Sequence, residues 1–187
     1  MSNKKNQLRI IGGRWRGRKL SIANLPGLRP TGDRIRETLF NWLAADIHDS
    51  QCLDLFAGTG ALGLESLSRG AKHVTFLEKH PAATQQLQEN CQQLNAVDTH
   101  IIKQDAITWL QNHSLKKHSI HIVFIDPPFA ENLWQACIEA LNSSELLAEN
   151  AVIYIETPKH TILSVPKDWQ LYKEKTAGDI CYRLYFL

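Results

Sequence analysis

Cys52-Leu53-Asp54-Leu55-Phe56-Ala57-Gly58-Thr59-Gly60 reads as a short apolar strand running into a glycine-rich turn. Leu62, Leu64 and Leu67 follow at helical spacing, and Gly70 closes the segment. Strand, tight turn and helix form the opening half of a βαβ unit. Gly58 and Gly60 let the backbone turn sharply and approach a ligand with no side chain between. The free N–H groups of a helix opened in this way donate to a carboxylate or phosphate. No Gly-Lys-Ser/Thr follows, which excludes a P-loop.

The alternation continues outward. Val74 to Leu77 predicts a second strand ending at Glu78, and Pro81 opens a Gln-rich helix to Leu94. His100 to Lys103 predicts a third strand before Asp105 and a helix around Ile107 to Gln111. Ile120 to Ile125 predicts a fourth strand, and a helix carrying Trp134, Ile138 and Leu141 leads to a fifth, Ala151 to Ile155. Trp169 to Lys175 and Ile180 to Phe186, joined at Gly178-Asp179, predict a closing hairpin. Such alternation implies α/β architecture: a mostly parallel sheet with helices on both faces. Ligands then collect at the carboxyl ends of the strands.

Upstream, Leu8 to Ile11 and Arg18 to Ile22 predict a small hairpin around Gly12-Gly13. Leu25 to Pro30 reads as a connector, and Thr31 or Gly32 caps a helix running to about Ile47. The natural division is a basic arm over 1–30 and a main domain over 31–187. Residues 1–36 carry ten Lys and Arg against Asp33 alone, while the remainder carries 11 Lys and Arg against 18 Asp and Glu. A basic arm on an acidic body predicts a polyanionic partner.

Composition removes other classes. With 43% hydrophobic and 21% charged residues among 187, the chain is globular rather than disordered. Its longest apolar run, Ala151 to Ile155, is far short of a membrane span, and no apolar signal segment follows Met1. Cys52, Cys91, Cys137 and Cys181 are too scattered for a zinc or redox pair, which predicts reduced, mostly buried thiols in a cytoplasmic protein. His118 and His121 have no third ligand nearby, so no metal site is expected.

The residues of chemical interest fall at strand ends. Glu78 sits where dinucleotide sites place an acid for ribose hydroxyls, and the alternative is an ion pair with Lys79. Asp105 is either an acceptor for an adenine amino group, a task the Ala106 backbone also suits, or the N-cap of the next helix. Asp126-Pro127-Pro128-Phe129 is the sharpest signal. Two prolines stiffen the loop and leave the Pro127 carbonyl and Asp126 carboxylate as fixed acceptors. Two acceptors aimed at one point suit an exocyclic amino group, and Phe129 offers a face on which a base stacks.

At these residues the pattern resembles a Rossmann-like class I S-adenosylmethionine-dependent methyltransferase. The tetrapeptide is similar to the Asp/Asn-Pro-Pro-Tyr/Phe motif of enzymes that methylate exocyclic or amide nitrogens. Arg9-Ile-Ile-Gly-Gly-Arg-Trp-Arg-Gly-Arg-Lys-Leu20 and Arg29-Pro-Thr-Gly-Asp-Arg-Ile-Arg-Glu-Thr-Leu-Phe-Asn-Trp-Leu43 resemble the bacterial 16S rRNA guanine-966 2-amino methyltransferase family. The resemblance runs from about Leu8 to Leu187. Gly32 stands where the family often has a hydroxyl residue.

The resemblance implies a seven-stranded sheet, its last strand antiparallel beside the sixth, with an N-terminal β-hairpin extension. It implies S-adenosylmethionine as cofactor and 16S rRNA within the assembled or assembling small subunit as partner, met by a monomer. Cofactor residues would be Asp54, Phe56, Ala57, Gly58, Thr59 and Gly60, together with Glu78, Lys79, Asp105 and Ala106. Asp126, Pro127, Pro128 and Phe129 would hold the target base. Arg14, Trp15, Arg16, Arg18 and Lys19 would contact RNA, with Arg34 and Arg36 either roofing the cleft or carrying exposed charge on a helix. The tetrapeptide alone equally allows a DNA adenine or release-factor glutamine methyltransferase. A non-catalytic ribosome-assembly factor is the alternative from another class.

Overall fold

The computed structural model describes residues 7–25 and 31–187. Part of the Leu25 to Pro30 connector lies outside the described residues. Parallel strands buried on both faces need apolar centres, which Cys52-Leu53 gives β3 (Gln51–Asp54), Phe76-Leu77 gives β4 (His73–Leu77), Ile122 to Ile125 gives β6 (Ile120–Ile125) and Ala151 to Ile155 gives β7 (Leu147–Pro158). With β5 (Thr99–Ile102), β8 (Gln170–Ala177) and β9 (Ile180–Phe186) they form one sheet, ordered β5-β4-β3-β6-β7-β9-β8. The first five of these are mutually parallel, and β9 is antiparallel to both β7 and β8. The closing hairpin therefore folds back so that its second strand, and not its first, lies beside the parallel core.

Alternation along each strand divides the core into two layers. Cys52, Val74, Phe124 and Tyr154 point to one face, where α1 (Asp33–Trp42), α2 (Ala61–Ser68) and α3 (Pro81–Leu94) pack. Leu53, Leu77, Val123 and Ile153 point to the other, under α4 (Ala106–Asn112) and α5 (Trp134–Ser143). All four cysteines are buried free thiols. Among the described residues no helix is long and apolar enough to cross a membrane.

Two boundaries differ from expectation by four residues or more. Helix α1 stops at Trp42, yet Leu43 and Ile47 are both buried, and the amides of Asp46 and Ile47 both donate to the Leu43 carbonyl. The apolar spacing that predicted helix to Ile47 is satisfied by a turn. Strand β7 begins four residues before Ala151, because Leu147 pairs with Ile120 ahead of a register break at Asn150, which has φ 61°.

The hairpin β1 (Gln7–Arg9) and β2 (Lys19–Ser21) is built into the body. Leu8, Ile10 and Leu20 are at most 1% exposed and share the α1–α3 layer. The Glu65 carboxylate accepts from the backbone N–H groups of Ile11 at 2.8 Å and Gly12 at 2.7 Å. Gly13 has φ +71°, and a Cβ there would meet the Ser68 carbonyl at 1.7 Å, so only glycine lets the chain close on α2.

Arg36 corrects the sequence reading. It was expected to meet RNA or lie exposed on a helix, but its side chain is wholly buried. It donates to Asp33 at 2.6 Å, to Glu65 at 3.3 Å and to the carbonyls of Arg9 and Thr31. Its charge answers Glu65, the acid that binds the arm. The one warning in sequence is Glu65 itself, an acid inside the otherwise apolar and small-residue face of α2.

Candidate active site

A cavity of about 560 Å³ opens at the carboxyl ends of the parallel strands. It lies where β3 and β6 are neighbours while the chain leaves β3 toward β4 and β5, which is the switch point of the sheet. Asp54 to Thr59, Glu78, Lys79, Asp105, Ala106 and Asp126 to Phe129 all line it. Four stretches distant in sequence thus meet in one cleft. Gly60 stands just behind as the N-cap of α2 at φ +79°.

Asp54 holds the glycine-rich loop from beneath. Its carboxylate is 3% exposed, accepts the Gly63 N–H at 3.2 Å and is also bonded by the Phe56 backbone. Burial, helped by the charges of Asp126 and Glu78, pushes its pKa up to about 7. Glu78 accepts from the Gly58 N–H at 2.8 Å and the His80 N–H at 2.7 Å, one on each oxygen. The alternative ion pair with Lys79 does not form: Lys79 meets Glu131 at 2.5 Å, tying the end of β4 to the turn that follows Phe129. Asp105 does cap α4, accepting the Thr108 N–H and hydroxyl on Oδ1 at 2.9 and 3.0 Å.

Asp126 leaves β6 half-buried, and its Oδ2 accepts the Thr31 hydroxyl at 3.0 Å. Burial pushes Asp126 up to about 6, against the lowering effect of Thr31. Of the two cap candidates, Gly32 is the N-cap of α1, and the Thr31 hydroxyl is instead spent on the tetrapeptide. Phe129 is 40% exposed at the cavity mouth, its ring 5.7 Å from that of Trp134.

Sequence reading missed Glu156. It is 3% exposed on β7, lines the cavity and accepts the Tyr154 hydroxyl on Oε2 at 2.8 Å. Burial and the charge of Asp126 push it up to about 8. The signal was available: an acid directly after the longest apolar run, at the same strand-end level as Glu78 and Asp126. Among the described residues no Lys, Arg or His pairs with Asp54, Asp126 or Glu156.

The arm presents its charges outward. Arg14 stacks on Trp15 with its guanidinium carbon 4.1 Å from the ring centre, and Trp15 itself is half-buried. Arg16 and Lys19 are exposed, as is Arg34 on α1, and Arg18 donates to the Gln93 carbonyl at 3.1 Å.

Residues 8–186 match the family model described as Conserved hypothetical protein 95. Ribosomal RNA small subunit methyltransferase D of Haemophilus influenzae is 49% identical, over 98% of this chain and 95% of that one. The Escherichia coli K12 protein of the same name is also 49% identical, over 96% and 89%. The solved structure of yhhF from Escherichia coli superposes with a TM-score of 0.87 at 46% identity, covering 96% of this chain and 97% of that one. The chain belongs to the bacterial small-subunit rRNA guanine 2-amino methyltransferase family, which its arm and tetrapeptide motifs resemble.

Proposed function

We propose that the protein transfers a methyl group from S-adenosylmethionine to the exocyclic 2-amino group of guanine 966 in 16S rRNA. It acts as a cytoplasmic monomer on the assembled or assembling small subunit. The observation that carries this reading is Asp126, set at the switch-point cavity with one oxygen held by Thr31 and followed by two prolines.

The lining suits that cofactor. Five lining acids, Asp54, Glu78, Asp105, Asp126 and Glu156, have no basic partner among the described residues, which matches a ligand bearing sulfonium and ammonium charges. Each Glu78 oxygen keeps a lone pair for a ribose hydroxyl, and the Ala106 N–H and the second Asp105 oxygen are left for adenine. When bound, the cofactor supplies an electrophilic methyl group. The chain's own residues do the rest. An amine inside a stack cannot be approached in line, so the guanine is flipped outward, and Phe129 offers the face that receives it. Asp126 and the Pro127 carbonyl accept the two amine hydrogens and turn the nitrogen lone pair toward the methyl. Such alignment is worth about 7–11 kcal/mol. Asp126 takes the proton that becomes acidic as the N–C bond forms. The exposed Arg14, Arg16, Arg18 and Lys19 hold RNA phosphates.

Transfer of labelled methyl onto small subunits from a strain lacking the gene tests the reading. Label should appear on one guanine of 16S rRNA, located by mass spectrometry. Glu78→Ala should weaken cofactor binding by about 1.5–3 kcal/mol. Absence of label, with tight cofactor-independent binding of subunits, would leave an assembly factor and overturn the reaction.

A further inference from the structure

We infer that Glu156 is a specificity-determining residue: it accepts the ring N1–H of guanine beside the amino group held by Asp126, and so admits guanine while rejecting bases that carry a lone pair there. This rests on the reaction proposed above and says what the tetrapeptide cannot. Two acceptors around an amino group serve adenine, cytosine, guanine and a side-chain amide equally. What differs is the atom alongside. Adenine and cytosine place a ring lone pair next to the amine, and an amide places its carbonyl oxygen there. Guanine alone places another N–H. A third acceptor adjoining the first two therefore reads guanine.

Glu156 occupies that place. Strands β6 and β7 are parallel neighbours with Ile125 opposite Ile155, so Asp126, just past the end of β6, and Glu156, on β7, stand at the same level. Both line the cavity. Glu156 is held on two sides: the Trp134 indole N–H donates to its carbonyl at 2.7 Å, and the Tyr154 hydroxyl donates to Oε2 at 2.8 Å. No described hydrogen bond engages Oε1, and no described cation pairs with the carboxyl. Oε1 is open to the cavity and free to take a donor from a ligand. An arriving N1–H favours the ionised form, in which Oε1 accepts while Oε2 keeps the Tyr154 hydroxyl. A base with a lone pair at N1 leaves Oε1 unpaired and facing a second acceptor, the arrangement that hydrogen-bonding sites reject most strongly.

The test is a two-by-two comparison. Small subunits are reconstituted on 16S rRNA bearing either guanine or 2-aminopurine at the target; 2-aminopurine keeps the 2-amino group but has a lone pair at N1. The wild type should prefer guanine by about 10- to 100-fold in kcat/KM, mostly through KM. In Glu156→Leu the ratio should collapse to within about threefold of unity, read on protein that keeps its folded transition. If Glu156→Leu loses its folded transition, the Tyr154→Phe/Glu156→Leu double variant carries the same comparison, since it strands no buried hydroxyl. A wild type that methylates both subunits equally, or a folded variant that keeps the wild-type ratio, overturns this inference alone. A wild type that methylates neither overturns the reaction and the inference with it.

Discussion

Asp126 sits between two neighbours of opposite effect. The Thr31 hydroxyl favours its charged form, while burial disfavours it and pushes it up to about 6. It can take the amine proton only when ionised, so the transfer rate should rise with pH through about 6 and level off above. Asp126→Ala should abolish transfer yet leave cofactor affinity within a few-fold, measured by calorimetry beside a methylation assay. Thr31→Val removes the stabilising donor. Its rate should fall about 3- to 10-fold at neutral pH, and the acid limb of its pH profile should move upward. Retained turnover in Asp126→Ala would reduce the tetrapeptide to a structural turn. Arg36 carries the reverse lesson, since its basic charge belongs to the interior. Arg36→Met leaves Asp33 and part of Glu65 unanswered and should cost about 3–5 kcal/mol in urea unfolding.

At the scale of elements, the arm and α2 act as one piece. Glu65 accepts two arm amides, Arg36 and Arg69, and the Ser68 hydroxyl donates to the Gly12 carbonyl and accepts from the Trp15 N–H. The backbone of the basic ridge is thus preformed, so the RNA binding proposed for it would meet no cost of ordering that backbone. Arg14, Arg16 and Arg18 replaced together by Ala should flatten the dependence of log affinity on log salt by up to about two units. Cofactor affinity should not change, because the arm arginines stand outside the cavity lining. An unchanged slope would make the arm a structural strap only. Gly13→Ala probes the same docking from the opposite side: with the Ser68 carbonyl in the way, about 1–3 kcal/mol of strain should appear as a lower melting temperature and faster proteolysis of the arm.

Across the whole molecule, three acids gathered at one cavity tie stability to pH. Asp54, Asp126 and Glu156 bind protons more tightly folded than unfolded, at about 7, 6 and 8. Their contribution is complete below the ordinary carboxylate range and is lost as pH rises through those values. His73, whose pKa burial lowers, works in the opposite direction. The melting temperature of the free protein should therefore fall between about pH 5.5 and 8.5, and Glu156→Gln should flatten the decline. A melting temperature that rises across that interval would contradict the placement of the acids. The cluster also marks what was legible in the chain. The Cys52–Gly60 turn, the strand-end acids Glu78 and Asp105 and the Asp126–Phe129 loop announce themselves because their chemistry is local: glycine where the backbone must turn, proline where it must stiffen, an acid where an apolar run stops. Strand order within the closing hairpin, the capture of Lys79 by Glu131, the Thr31–Asp126 bond and the burial of Arg36 were decided only by tertiary structure. Each depends on segments far apart in sequence arriving at one place, and a charge does not show in its own surroundings whether another charge will meet it there.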